Sequence, residues 1–146
     1  MAEAKIESIM RDYIKALSDK DIDKALSFCA EDAMWITPLG TFKGKEELRH
    51  YLTWMAQSMP DLSIKETGIG IIVHGSKAFY EHIFSGTLQG MKWEVLAMCA
   101  YEFSGDKIQN LRTVFDRLSL ANQVAQGWMA KKAVSAIIEN MQKGLR

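Results

Sequence analysis

At 146 residues, with 48% hydrophobic and 25% charged side chains, the chain has the make-up of one globular domain with room for a core and a pocket. Lysine plus arginine and aspartate plus glutamate each number 18, so zero net charge argues for neither nucleic acid nor an acidic membrane surface as partner. Apolar runs such as Ile69–Val73 fall far short of the roughly 20 residues that span a bilayer. The opening Met-Ala-Glu-Ala-Lys-Ile-Glu lacks an export pattern, and Cys29 and Cys99 sit in apolar contexts that suit buried thiols, so a cytoplasmic location is expected.

Ile6, Ile9, Met10, Tyr13, Ile14 and Leu17 recur at helical spacing and predict an amphipathic first helix. After a polar break at Ser18–Asp21, the residues Ile22, Ala25, Leu26 and Cys29 predict a short second helix. Ala33–Ile36 reads as a brief strand ended by Pro38-Leu-Gly40. A third helix opens at Gly44, buries Leu48, Tyr51, Leu52 and Met55, and closes at Pro60. Alternation then replaces helical periodicity. Leu62–Val73, Lys77–Leu88, Lys92–Phe103 and Lys107–Arg117 read as strands, joined by short glycine-bearing segments typical of antiparallel hairpins. Ala121, Val124, Ala125 and Trp128, and past a bend near Gly127 the stripe Val134, Ile137, Ile138, Met141 and Leu145, predict a helical tail. The order is that of an α+β fold, a single domain over residues 1–146 with an amphipathic tail over 127–146.

Alternation sorts the strand residues into faces. On the last strand Asn110, Arg112, Val114 and Asp116 share one face, and Leu111, Thr113 and Phe115 the other. Tyr80, His82 and Phe84 oppose Phe79, Glu81 and Ile83; Trp93, Val95, Ala97, Cys99, Tyr101 and Phe103 oppose Glu94, Leu96, Met98 and Glu102. Asp116 and His82 are expected to face a common apolar interior. Asp116 is then a general acid/base, or a structural group that pairs with Arg112 or caps a helix from Leu118. His82 is either a satisfied core histidine or the partner of Asp116, which would fix its tautomer. Tyr13, Trp35, Tyr51, Trp54, Tyr80, Trp93, Cys99 and Arg112 are candidates for the surrounding wall. With no His-x-x-x-His or Cys-x-x-Cys spacing, no glycine-rich strand-to-helix loop and no nucleophile elbow, no metal and no cofactor are expected.

The order helix–helix–strand–helix–meander, with Tyr13-Ile-Lys-Ala-Leu, Asp21-Ile-Asp-Lys-Ala-Leu, Phe28-Cys-Ala-Glu-Asp-Ala and Phe115-Asp116, resembles the nuclear transport factor 2-like superfamily. Within it the chain is most similar to SnoaL-like polyketide cyclases, over nearly residues 3–126. The resemblance implies a cone of curved antiparallel sheet wrapped on the N-terminal helices, to which this chain adds its tail. It also implies an acid/base aspartate in a Phe-Asp context followed by a helix and a glutamine, matched by Phe115-Asp116 and Gln123. Ser85-Gly-Thr87-Leu-Gln-Gly90 resembles a family Gly-Thr-His-x-Gly element, with Leu88 where the histidine often stands. Against the superfamily's ketosteroid isomerases, Tyr13 matches the phenol donor, but Thr37 stands at the base and Cys99 at the protonated acid. Limonene epoxide hydrolases have an arginine and an aspartate where Tyr80 and His82 stand. Neither machinery is expected here.

The function expected is that of a cofactor-free enzyme, akin to polyketide or ester cyclases. Asp116 would run acid–base chemistry on an apolar, carbonyl-containing molecule, with His82 beside it and Tyr13 and Trp35 orienting the ligand. The alternatives are a non-catalytic binding domain for a hydrophobic small molecule and a protein-interaction module. A homodimer through an outer face carrying Leu96, Met98, Leu111 and Phe115 suits all three.

Overall fold

The computed structural model describes residues 2–145. The elements are α1 (Ala2–Ser18), α2 (Ile22–Ser27), β1 (Cys29–Thr37), β2 (Gly40–Lys43), α3 (Gly44–Ser58), β3 (Ser63–His74), β4 (Lys77–Leu88), β5 (Met91–Ser104), β6 (Lys107–Phe115), α4 (Arg117–Val124) and α5 (Gly127–Gln142). The α+β expectation holds. The sheet has six strands in the order β2-β1-β6-β5-β4-β3, curled but unclosed. Two details differ from the sequence reading. Cys29 begins a strand rather than ending a helix, and Gly40–Lys43 forms a short edge strand too small to show periodicity.

The helices form where the apolar stripes lie. α1 buries Ile6, Met10, Tyr13 and Ala16, and α3 buries Leu48, Tyr51, Leu52 and Met55. Asp21 caps α2 by accepting the Lys24 N–H at 3.0 Å. Gly44, with φ of +78°, makes the sharp turn from β2 into α3 in a backbone region other residues avoid. In the meander, β5 alternates most cleanly: Trp93, Val95, Ala97, Cys99, Tyr101 and Phe103 are all buried. The β4–β5 turn at Gln89-Gly90 has positive φ at both residues, the geometry that matches strand twist in two-residue hairpins. Gly68 and Gly70, expected within a strand, lie at a bulge where the β3–β4 register shifts between Glu66 and Ile71.

The faces of β4 and β5 follow the alternation, and that of β6 is the reverse of the expected one. Directly paired residues on neighbouring strands point to the same face. Tyr101 pairs with Leu111, Cys99 with Thr113 and Ala97 with Phe115. Leu111, Thr113 and Phe115 are therefore inside, and Arg112 and Val114 outside, where Val114 is 61% exposed. Leu111 and Phe115 are thus removed from the outer face on which they were expected, whereas Leu96 and Met98 remain there. β1 runs parallel to β6, with Trp35 beside Leu111, which brings the Trp35 indole over the same interior. No helix among the described residues is long and apolar enough to cross a membrane.

Candidate functional site

Between the concave sheet face and α1 and α3 lies an aromatic cavity of about 40 Å³. β4 contributes Tyr80, His82 and Phe84; β5 contributes Cys99 and Tyr101; β6 contributes Thr113 and Phe115. Trp35 comes from β1 and Ile64 from β3, while Ile14, Leu17, Tyr51 and Met55 close it from the helices. No Asp, Glu, Lys or Arg lines the wall.

His82 is the group that stands out. It is 5% exposed, stacked on Tyr80 (ring centroids 4.6 Å, planes at 16°) and edge-on to Phe84 at 6.0 Å. Its Nδ1 is buried with no hydrogen-bond partner. Burial disfavours the imidazolium and outweighs the weaker opposing pull of the nearby Tyr80 backbone, which falls short of a well-formed hydrogen bond to Nδ1; the His82 pKa drops to about 4, so the ring is neutral at physiological pH. A neutral imidazole nitrogen left unpaired in an apolar chamber costs free energy unless something bonds to it.

Three other polar groups of the chamber, those of Trp35, Thr113 and Cys99, are engaged with one another. The Trp35 Nε1–H donates to Thr113 Oγ1 at 2.8 Å, and the same hydroxyl lies 3.2 Å from Cys99 Sγ. Burial raises the Cys99 thiol to about 11 and the Tyr80 phenol to about 12, and holds the Tyr101 phenol well above its usual value. None of these groups gives up a proton near neutral pH. Thr113 and Phe115 also border a surface depression formed with Thr37, Pro38, Leu39 and Arg117, where β1 has ended and β6 continues. Arg117 Nη1 donates to the Pro38 carbonyl at 2.9 Å and spans the depression.

Asp116 is not in the chamber, contrary to the expected inward placement. The strand ends at Phe115, and Asp116 is the N-cap of α4, exposed to solvent. Its Oδ1 accepts the backbone N–H groups of Leu118 and Ser119, each at 2.9 Å. No hydrogen bond or ion pair joins it to His82 among the described residues. Gln123, the far end of the same motif, is structural too. Pairing of β5 with β6 stops at Ala97, leaving the β5 edge open before it. There the Gln123 amide accepts the Glu94 N–H at 2.8 Å and donates to the Glu94 carbonyl at 2.9 Å, as a neighbouring strand would. The Phe-Asp…Gln pattern thus starts α4 and pins it along an unpaired sheet edge.

The remaining wall candidates divide. Trp35, Tyr51, Tyr80 and Cys99 line the chamber. Tyr13 is buried behind it, edge-on to Tyr101 at 6.2 Å and to Phe28 at 6.5 Å. Trp54 is 41% exposed and stacks on the outside of Tyr51. Trp93 lies beyond Phe84, edge-on to it at 5.3 Å, with its own indole N–H buried and unpaired. Arg112 is on the outer face, bonded to Glu102 at 3.1 Å. Thr113 and Phe115 are the wall residues that the sequence put on the opposite face; their pairing with Cys99 and Ala97 identifies them only once the strands are in register. Among the described residues no cluster of three His, Cys, Asp or Glu could hold a metal ion.

Comparison with known proteins agrees with this architecture. Residues 10–111 match the SnoaL-like domain family. A protein from a Jannaschia species described as a SnoaL-like polyketide cyclase superposes with a TM-score of 0.77 at 11% identity, over 86% of this chain and 95% of its own. An NTF2-like protein from Burkholderia xenovorans gives 0.71 at 24% identity, over 84% and 98%. TerC, crystallised with polyporic acid, gives 0.74 at 15% identity, over 84% and 99%. No curated protein matches the sequence significantly. At these identities the superpositions establish the fold, and the family match over most of the chain establishes kinship: this protein belongs to the SnoaL-like domain family of the nuclear transport factor 2-like superfamily.

Proposed function

We propose that the chain binds a small apolar molecule carrying a carbonyl or hydroxyl group, with that oxygen on Nδ1 of His82. The unpaired, buried imidazole nitrogen in an aromatic chamber free of charge carries this reading. Pockets of this kind bind by apolar area and select by one or two placed polar atoms. Names among the structural neighbours support a ligand of this type, since polyketides are carbonyl-bearing and TerC was crystallised with polyporic acid. The free space of about 40 Å³ holds little more than a water or two, so a ring-sized ligand has to displace wall residues. The unbranched Met55 and the α1 residues Ile14 and Leu17 are the part of the wall that can give.

The test is calorimetric titration with a panel of aromatic and alicyclic ketones and phenols. A ligand found this way should bind His82→Phe about tenfold more weakly, the worth of one buried hydrogen bond. Asp116→Asn should bind it as the native chain does. Equal affinity for His82→Phe, or a matching loss in Asp116→Asn, would overturn the assignment.

Acid–base turnover of the cyclase type is a second reading, favoured because His82 is the wall residue whose free form can accept a proton in mildly acidic solution, near pH 4. Such chemistry runs through His82 rather than Asp116. With a conjugate acid near 4, the imidazole is a weak base, suited only to protons already acidified by a neighbouring carbonyl. Exchange of carbon-bound hydrogen for deuterium on a bound ketone should then rise through pH 4 to a plateau. His82→Phe should abolish it.

A further inference from the structure

We infer that the ligand of the chamber carries a hydrocarbon chain, and that this chain lies in a second apolar cleft between α1, α2 and α3, reached past Leu17 and Met55. The inference rests on the reading of His82 above and adds to it a class of ligand, a ketone or phenol with an alkyl tail.

The cleft has a free volume of about 20 Å³. Apart from Lys20 and Asp21, every residue lining it is apolar. Each of the three helices gives it an alanine: Ala16 from α1, Ala25 from α2 and Ala56 from α3. Ala16 and Ala25 are 4% and 0% exposed, so the space reaches into the helical layer. Interiors normally pack to leave few such gaps, and single methyl groups at the meeting of three helices are what keep this one open. Lys20 and Asp21 are exposed and mark its mouth, at the break between α1 and α2. Lys20 Nζ donates to the Pro60 carbonyl, tying the end of α1 to the loop between α3 and β3 beside the cleft.

Leu17 and Met55 belong to the walls of both spaces. One layer of side chains therefore separates the cleft from the chamber. Leu17 is only partly buried, and Met55 is unbranched and turns about three bonds. The chamber's 40 Å³ admits no ring until such residues move, and the movement that admits the ring also opens the cleft.

The lining decides what enters. A polar chain would lose its water between alanine, leucine and isoleucine side chains with nothing in return, whereas each buried methylene gains. The other space that adjoins the chamber, at Thr113, Phe115 and Arg117, is more open and is crossed by the Arg117 guanidinium on its way to the Pro38 carbonyl. A cation there suits water better than hydrocarbon.

The experiment is calorimetric titration of the full chain with para-alkylphenols, from para-cresol to para-octylphenol, with circular dichroism to confirm the folding of each variant. With the chain in the cleft, affinity should rise about threefold to fourfold per methylene until the chain reaches the mouth. Ala56→Leu fills the cleft from α3. Para-cresol, too short to reach the cleft, should still bind this variant, and the longest members should lose about tenfold or more. Ile22→Phe serves if Ala56→Leu misfolds. Affinity that is flat or falls with chain length in the native protein overturns the proposal and leaves the His82 reading standing. So does a rise that survives Ala56→Leu undiminished, which puts the chain in the depression at Arg117 or on an exposed surface. Indifference of the whole series to His82→Phe, with the Ala56→Leu loss intact, sinks the His82 reading and leaves the chain in the cleft. A protein that binds no member of the series overturns both.

Discussion

His82 and Asp116 invite comparison as the two residues expected to share the interior, and they differ in every physical respect. His82 is enclosed by aromatic rings with an unpaired nitrogen, and burial keeps it neutral. Asp116 stands in water, its carboxylate turned to two backbone N–H groups at the start of α4. Asp116 directly follows a residue of the chamber wall, Phe115. A step of one position at a strand end exchanges a reactive environment for a capping one. A carboxylate at the position of a family acid is therefore weighed by its surroundings, and here they make it a helix start.

The contrast can be broken experimentally, beginning with its largest expected effect. Trp35→Ala should cost about 3–5 kcal/mol, because it removes a buried aromatic from the chamber wall and leaves Thr113 Oγ1 only its Cys99 contact; urea unfolding measures it. A smaller loss would mean that the wall collapses onto the space and is not preorganised for a ligand.

The second effect is on pH dependence. His82 titrates near 6.5 when unfolded and about 4 when folded, so between these values the unfolded chain holds the extra proton. Stability at pH 7 should therefore fall as pH drops from about 6.5 towards 4, by roughly 2–4 kcal/mol from this group, and level off below. In His82→Phe that part of the slope should vanish. If the slope survives unchanged, His82 is not the neutral, buried group described.

The third is Asp116→Ala, expected to cost about 1 kcal/mol through loss of the α4 cap. Asp116→Asn should change stability by only a few tenths of a kcal/mol, since asparagine caps as well as aspartate. It should leave ligand binding and any turnover intact. Loss of function in Asp116→Asn with stability unchanged would restore the carboxylate to the chemistry and dissolve the contrast.

Much of the protein was legible before any coordinates. Helical stripes and strand alternation depend on local geometry, so α1, α3, the four long strands and the break at Gly127 could be read directly, as could the grouping of Trp93 to Phe103 on one face of β5, though not that this face is the inner one. The family resemblance supplied the cone. His82 was picked out correctly as an inward residue, because Tyr80 and Phe84 flank it at period two. β6 was the exception. Both its faces carry large apolar residues, so period two alone leaves its phase undetermined, and the phase is set by pairing with β5 through Cys99–Thr113. Reading that phase the other way placed Asp116 and Arg112 inside. It also placed Leu111 and Phe115 outside.

What the chain determines by itself is the list of elements, their order and the aromatic character of the interior, because backbone propensity and side-chain periodicity are local properties. Tertiary structure alone decided three further things. It set which face of β6 looks inward, it isolated the nitrogen of His82, and it gave Gln123 the open edge of β5 to occupy. The first depends on a register shift between Glu102 and Phe103 in the β5–β6 hairpin, and the others on contacts between separate elements, neither of which a period-two pattern encodes.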